Sequence, residues 1–287
     1  MAQHTHQTLT SPVFPTWCPG CGDYGIWASL KQAIVQAQMP EENTVIVYGV
    51  GCSGNMADFN RVYGFHALHG RAIANATAIK LANHKLNVIV IAGDGDTYGE
   101  GMGHFISAMR GNHNITMIVH NNQTYGLTTG QSSPTTLQGT KTKSTPMGLV
   151  DEPVNPVGLA LSSGVDFIAR GYAGKIPHLT SLMVEAFKHP GFALLDVFQP
   201  CVTFNKVNTH QWFQAKIYDL QEANHPLTDK MMAWQRSLEE EKLPIGKFYH
   251  NPESVAFHSH LSQLSSATLI EQWSSSRNIS SLIQSFV

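Results

Sequence analysis

Charge is scarce in this sequence. Lys, Arg, Asp and Glu make up 13% of its 287 residues, where about 25% is usual in a soluble domain. The 18 cationic and 20 anionic residues leave a formal charge of −2. That balance provides no general basic surface, which excludes nucleic acid as the partner. A surface so thin in charge is expected to lie partly against other proteins. Long apolar runs are also missing. The most apolar stretch, VIVIA at 88–92, is far shorter than the ~20 residues of a membrane-spanning helix. The N-terminal MAQHTHQTLTSPVFPTWC lacks the charged-then-apolar pattern of a secretory signal, so a cytoplasmic protein is expected. Cysteine is limited to Cys18, Cys21, Cys52 and Cys201. In a cytoplasm, structural disulfides are rare, and clustered cysteines point to metal or redox chemistry. The histidines number 15, but they are scattered and form no HExxH pair.

What is present is an alternation. Helical spacing over 26–36 is followed by a short β-branched run at 44–50, which ends in Gly51-Cys52-Ser53-Gly54. An Ala-rich helix is expected at 70–83 and a fully apolar strand at 87–92. Helix at 101–110 and strand at 115–120 follow. Further on, 156–163 and 177–188 read as helices and 193–198 as a strand. Continuous apolar strands alternating with helices predict an α/β fold, an open and mostly parallel sheet with helices on both faces. The character changes near Asn205. Residues 1–204 read as one domain. Residues 205–287 read as a C-terminal extension that wraps the domain or a partner.

Two strand ends carry the chemistry. Gly93-Asp94-Gly95 ends one apolar strand and Asn121-Asn122 ends the next. Ligands of open parallel sheets bind at those ends. Asp94 offers a hard oxygen, the glycines let a phosphate approach the backbone, and Asn122 offers a second oxygen. Together they suit Mg²⁺ shared with a ligand's phosphates. Each motif alone is an ordinary turn; the pair at this spacing is a site. The CxxC of Cys18 and Cys21, taken alone, favours zinc, or free buried thiols.

The pairing resembles the thiamine diphosphate motif. Six blocks narrow the likeness: WCPGCGDYGI at 17–26, GVGCSG at 49–54, YGFHALHGRA at 63–72, GDGD at 93–96, NNQTYGLTTGQSSPT at 121–135 and QPCVTF at 199–204. In this order they resemble the beta subunit of the 2-oxoacid:ferredoxin oxidoreductases, over roughly residues 14–250. The resemblance implies that Asp94, Asn122 and the backbone carbonyl of Thr124 ligate Mg²⁺. It implies that Gly51, Cys52, Ser53, His69, Gly70, Gly93, Gly95, Asp96, Tyr125, Gly126 and Leu127 join them around thiamine diphosphate. His69 is the candidate catalytic residue. All four cysteines coincide with the family's ligands to one 4Fe–4S cluster; thiolates suit iron.

The implied reaction takes a 2-oxoacid, CoA and two oxidised ferredoxins to acyl-CoA, CO₂ and two reduced ferredoxins. The site also suits the reverse reaction, CO₂ fixation. No Glu lies in a block matching the cofactor-activating role. The resemblance assigns that Glu to a partner alpha subunit, in a heterodimer or a dimer of heterodimers. The YGFHALHGR wording is closer to the 2-oxoglutarate branch than to the pyruvate branch. Asn55, Arg61, Leu127 and Thr129 are the expected substrate-binding residues. Asn55 and Thr129 are neutral where several relatives carry a cation, so Arg61 or the partner is expected to meet the distal carboxylate. A pyruvate-specific relative, a non-oxidative thiamine-dependent decarboxylase subunit and a non-catalytic scaffold are the alternatives. Intact Asp94, Asn122 and all four cysteines argue against the last two.

Overall fold

The computed structural model describes residues 5–276 and 278–286. Residues 1–4, 277 and 287 lie outside them. The described residues form an eight-stranded sheet. Its strands are β1 (Thr44–Tyr48), β2 (Tyr63–His66), β3 (Asn87–Gly93), β4 (Thr116–Asn121), β5 (Phe167–Tyr172), β6 (Ala193–Phe198), β7 (Ile217–Asp219) and β8 (Leu243–His250). The order across the sheet is β2-β1-β3-β4-β6-β5-β8-β7. Every pairing is parallel except β5 with β8.

The central strands are mostly apolar because both of their faces are covered. Val88, Val90 and Ala92 of β3 face one core with Ile73, Ala76, Phe105 and Ala160. Ile89 and Ile91 face the other with Ile26, Leu30, Leu179 and Met183. The period-2 alternation of a strand thus divides one apolar run between two layers. The first layer holds α2 (Ala72–Ala82), α3 (Met102–Gly111) and α4 (Pro156–Ser162). The second holds α1 (Asp23–Gln36) and α5 (Ile176–Lys188). Helix α4 begins where Pro156 fixes its first turn and the Asn155 side chain accepts from the Gly158 N–H. Among the described residues no helix is long and apolar enough to cross a membrane.

Three features differ from the sequence expectation or extend it. β5 lies between the helices at 156–163 and 177–188, where the sequence shows no uninterrupted apolar run. Arg170 and Gly171 break its pattern. Arg170 is nonetheless buried, its Nε donating to Asp196 Oδ2 of β6 at 3.0 Å. The stretch beyond Asn205 supplies β7 and β8, with Ile245 and Phe248 fully buried. β2 forms the opposite edge, exposed at every position.

This topology fixes where a ligand goes. From β1 the chain passes outward to β2, and β3 then lies on β1's other side. Strand order therefore reverses between β1 and β3, whose carboxyl ends open a crevice beside that of β4.

Candidate active site

The crevice is a cavity of about 280 Å³. The turn after β1 contributes Gly51, Cys52 and Ser53. The end of β3 contributes Gly93, Asp94, Gly95 and Asp96. The loop after β4 contributes Asn122, Thr124, Tyr125, Gly126 and Leu127, and His69 closes one side. Gly70 stands just behind, its N–H donating to Asp96 Oδ1 at 2.8 Å. The expected cofactor residues are thus gathered at one place, although they span 76 positions from Gly51 to Leu127.

Asp94 is buried. Its Oδ2 accepts from Ser133 Oγ at 2.5 Å and Thr135 Oγ1 at 2.6 Å. Burial pushes its carboxyl up to about 6, against the opposing pull of those hydroxyls. Asn122 Oδ1 accepts the Thr124 N–H at 3.0 Å, which shapes the loop. The first Asn of the pair turns away: Asn121 Nδ2 donates to Asp196 Oδ1 at 3.0 Å in the core. Gly95 is required sterically. A Cβ there would stand 2.2 Å from the Tyr125 ring, which packs over the turn.

Two buried polar atoms on this wall have no partner, Ser53 Oγ and His120 Nε2. His120 is held from behind, its Nδ1 lying 2.6 Å from Asp23 Oδ1 with both side chains buried. Such atoms are hydrogen-bonding positions for a ligand. His69 is at the mouth, with Nδ1 3.3 Å from Glu100 Oε2 and Nε2 3.7 Å from Asp96 Oδ1. Tyr125 donates its hydroxyl to the same Glu100 at 3.2 Å. The lining residues include two carboxylates, Asp94 and Asp96, and no Lys or Arg. An anionic diphosphate could sit here only with a cation between it and the wall. The donor set fits Mg²⁺ for that reason.

A second cavity of about 180 Å³ shares Cys52, Asn122, Gly126 and Leu127 with the first, and Cys18, Cys21 and Cys201 line it as well. All four cysteines are free thiols. Cys21 Sγ accepts from Gln199 Nε2 at 3.1 Å and donates to Asp23 Oδ2 at 3.3 Å. Trp17 Nε1 donates to the Cys52 carbonyl at 2.7 Å. Gly126 keeps the middle open, since a Cβ there would stand 3.5 Å from Cys52 Sγ and 3.8 Å from Cys201 Sγ. Burial, reinforced by Asp23 and Cys201, pushes the Cys52 thiol up to about 12. The same causes raise Cys21 still further. A bound metal would oppose that effect by favouring the thiolate. Among the described residues, no three His, Cys, Asp or Glu converge as a single ion requires. Four soft sulfur donors beside a shared cavity are suited to iron.

The expected substrate residues are divided. Leu127 lines both cavities and Asn55 the cysteine cavity. Thr129, in the left-handed region at φ 79°, lines a separate cleft beside Gly130. Arg61 is exposed and lines none of these three. Sequence reasoning missed His120, Asp23, Glu100, Ser133 and Thr135. His120 adjoins the Asn pair, and Ser133 and Thr135 end the NNQTYGLTTGQSSPT block, so position in a motif was the only available signal.

Residues 49–197 match the thiamine pyrophosphate enzyme C-terminal TPP-binding domain. Residues 201–266 match the C-terminal part of the pyruvate ferredoxin oxidoreductase beta subunit. A curated relative from Sulfolobus sp., 2-oxoacid:ferredoxin oxidoreductase subunit beta, is 44% identical over 90% of this chain and 89% of its own. The chain belongs to the beta subunits of the 2-oxoacid:ferredoxin oxidoreductases. It is thus a subunit of an oxidoreductase, as its motifs imply. Within the family it is also similar to the 2-oxoglutarate synthase subunit KorB of Archaeoglobus fulgidus, at 40% identity over 69% of this chain and 74% of that one. A solved 2-oxoglutarate:ferredoxin oxidoreductase from Magnetococcus marinus, with 2-oxoglutarate, coenzyme A and succinyl-CoA bound, superposes with a TM-score of 0.90. It is 31% identical and covers 99% of this chain and 96% of that one.

Proposed function

We propose that this chain is the catalytic beta subunit of a CoA-dependent 2-oxoglutarate:ferredoxin oxidoreductase. The balanced reaction is 2-oxoglutarate + CoA + two oxidised ferredoxins → succinyl-CoA + CO₂ + two reduced ferredoxins + H⁺. The observation that carries the reading is the placement of Asp94 and Asn122 on adjacent parallel strand ends, over one cavity that adjoins the cavity of the four cysteines.

Thiamine diphosphate, when bound, supplies the carbon nucleophile and electron sink for cleaving a 2-oxoacid. A 4Fe–4S cluster on Cys18, Cys21, Cys52 and Cys201 suits removal of electrons one at a time. The chain's residues bind and orient. Asp94, Asn122 and the Thr124 carbonyl would hold Mg²⁺, and through it the diphosphate. Gly93 and Gly95 let the phosphates approach the backbone, and Ser53 Oγ and His120 Nε2 offer hydrogen bonds. His69, at the mouth, is placed to bond a substrate carbonyl or a phosphate oxygen.

Among the described residues, neither cavity is lined by Lys or Arg, and Arg61 stands outside both. The distal carboxylate of 2-oxoglutarate would cost several kcal/mol to bury unpaired. We assign the opposing cation to the partner alpha subunit, along with the activating Glu. The exposed apolar edge around β2, with Tyr63, Phe65 and Leu68 open, supports such a partner. Of the proposed 205–287 extension to the 1–204 cofactor domain, β7 and β8 continue the sheet at the edge opposite β2, while Ser254 and Glu271 return to bond Asn112 and Lys85. A cytoplasmic dimer of heterodimers accommodates these parts.

The test is anaerobic purification with the alpha subunit, followed by analysis for iron and thiamine diphosphate and assay on a panel of 2-oxoacids. The reading expects four irons and one thiamine diphosphate per beta chain, with 2-oxoglutarate preferred. Preference for pyruvate would reject the substrate while leaving the cofactor assignment intact.

A further inference from the structure

The end of the NNQTYGLTTGQSSPT block has no part in the function described so far, yet it packs directly behind Asp94. Ser133, Thr135 and Thr136 are all buried. Thr136 fixes the segment to the loop after β4: its Oγ1 accepts the Ser133 N–H at 2.7 Å and donates to the Gln123 carbonyl at 2.7 Å. From that anchor, the Ser133 and Thr135 hydroxyls reach the same oxygen of Asp94, Oδ2, at 2.5 and 2.6 Å. Among the described residues, no side-chain hydrogen bond is directed at Oδ1.

Thr135 has one hydroxyl proton and two acceptors within reach, Asp94 Oδ2 at 2.6 Å and Asn121 Oδ1 at 2.9 Å. The shorter, charge-assisted contact takes the larger share of that proton. Asn121 is itself buried. Its Nδ2 donates to Asp196 Oδ1, which also accepts from Tyr98 Oη at 3.0 Å, while Arg170 Nε donates to Asp196 Oδ2. A continuous buried chain therefore runs from Arg170 through Asp196, Asn121 and Thr135 to Asp94, across four strands or strand ends.

We propose that Ser133 and Thr135 are positioning residues for the metal carboxylate: they hold Asp94 Oδ2 and leave Oδ1 to face the cation, with Asn121 as the strut behind Thr135. This rests on reading Asp94 as the Mg²⁺ ligand. The two asparagines of the pair then divide the work, Asn122 toward the cation and Asn121 toward the core. Partners of this kind fix the orientation of a ligating carboxylate, and their loss typically weakens metal binding roughly 10- to 100-fold.

The test measures the Mg²⁺ concentration that half-saturates thiamine diphosphate binding, by titration calorimetry on the purified complex with its partner subunit. Thermal unfolding without Mg²⁺ or cofactor is recorded in parallel. Thr135→Val removes the hydroxyl at constant shape and should raise that concentration about 10- to 100-fold. Thr135→Ser restores the hydroxyl and should return it to within about threefold of wild type. Ser133→Ala should act in the same direction as Thr135→Val. Thr135→Val and Ser133→Ala both binding Mg²⁺ like wild type, while Asp94→Ala loses binding, would reject the positioning role alone. Thr135→Ser failing as badly as Thr135→Val, with a matching loss of melting temperature, would mark Thr135 as structural and also reject it. Unchanged binding in Asp94→Ala would reject the underlying reading.

Discussion

Asp94 carries opposing demands at a single side chain. To hold the proposed Mg²⁺ it must be an anion, and burial opposes that charge. Its carboxyl is raised to about 6 in the metal-free protein, above the ~3.9 of a free Asp. A raised acid stabilises the fold fully below its unfolded value, and that stability is lost as pH rises through the folded value. Metal-free protein should therefore lose about 2 kcal/mol between pH 4 and pH 7 from this group. Asp94→Asn should remove most of that loss, and saturating Mg²⁺ with thiamine diphosphate should oppose it in wild type. Thermal unfolding of the two proteins across that range checks the sign. Cys201→Ser should abolish or destabilise the iron–sulfur cluster and leave the sheet intact, because Cys201 lies past the end of β6. Iron analysis and visible absorbance read the first effect, far-ultraviolet dichroism the second. Asp94, Asn122 and the cysteines were legible in the sequence because each sits in a short motif. The Asp23–His120 pair was not, since its members lie 97 positions apart and meet only when α1 packs on the sheet.

At the scale of elements, β1, β3, β4 and β6 could be read directly, because strands covered on both faces carry long apolar runs. β5 was hidden for a physical reason. Arg170 sits on it, and a buried cation is unreadable until its partner Asp196 on β6 is known. The pair is also what makes the strand tolerable in the core. Arg170→Met would leave Asp196 facing only Tyr98 and Asn121, and a buried charge stripped of its partner costs about 3–5 kcal/mol. Chemical denaturation should show that loss. The double variant with Asp196→Asn should recover part of it. β8 escaped notice because its neighbours in sequence are polar and its pairing with β5 joins segments far apart. The glycine turns set the geometry of the strand ends. Gly95→Ala should displace the Tyr125 ring and weaken cofactor binding about 10-fold or more, with little change in melting temperature, since the strain falls on a loop. Titration of thiamine diphosphate against that variant measures it.

Over the whole molecule, low charge, an exposed apolar edge at β2 and cavity walls without a cationic side chain point the same way. On the proposed function, the partner alpha subunit completes this site. This chain alone should bind iron yet turn over no 2-oxoacid, and addition of the alpha subunit should restore activity. The most direct measurement is 2-oxoglutarate-dependent reduction of ferredoxin by the anaerobically assembled complex, with and without CoA, for wild type and Asp94→Ala. The account predicts rapid reduction that requires CoA for sustained turnover in wild type, and loss of at least about 100-fold in the variant, the upper end of what removing a metal contact costs. Equal rates in the two proteins, or no ferredoxin reduction with any 2-oxoacid, would contradict it.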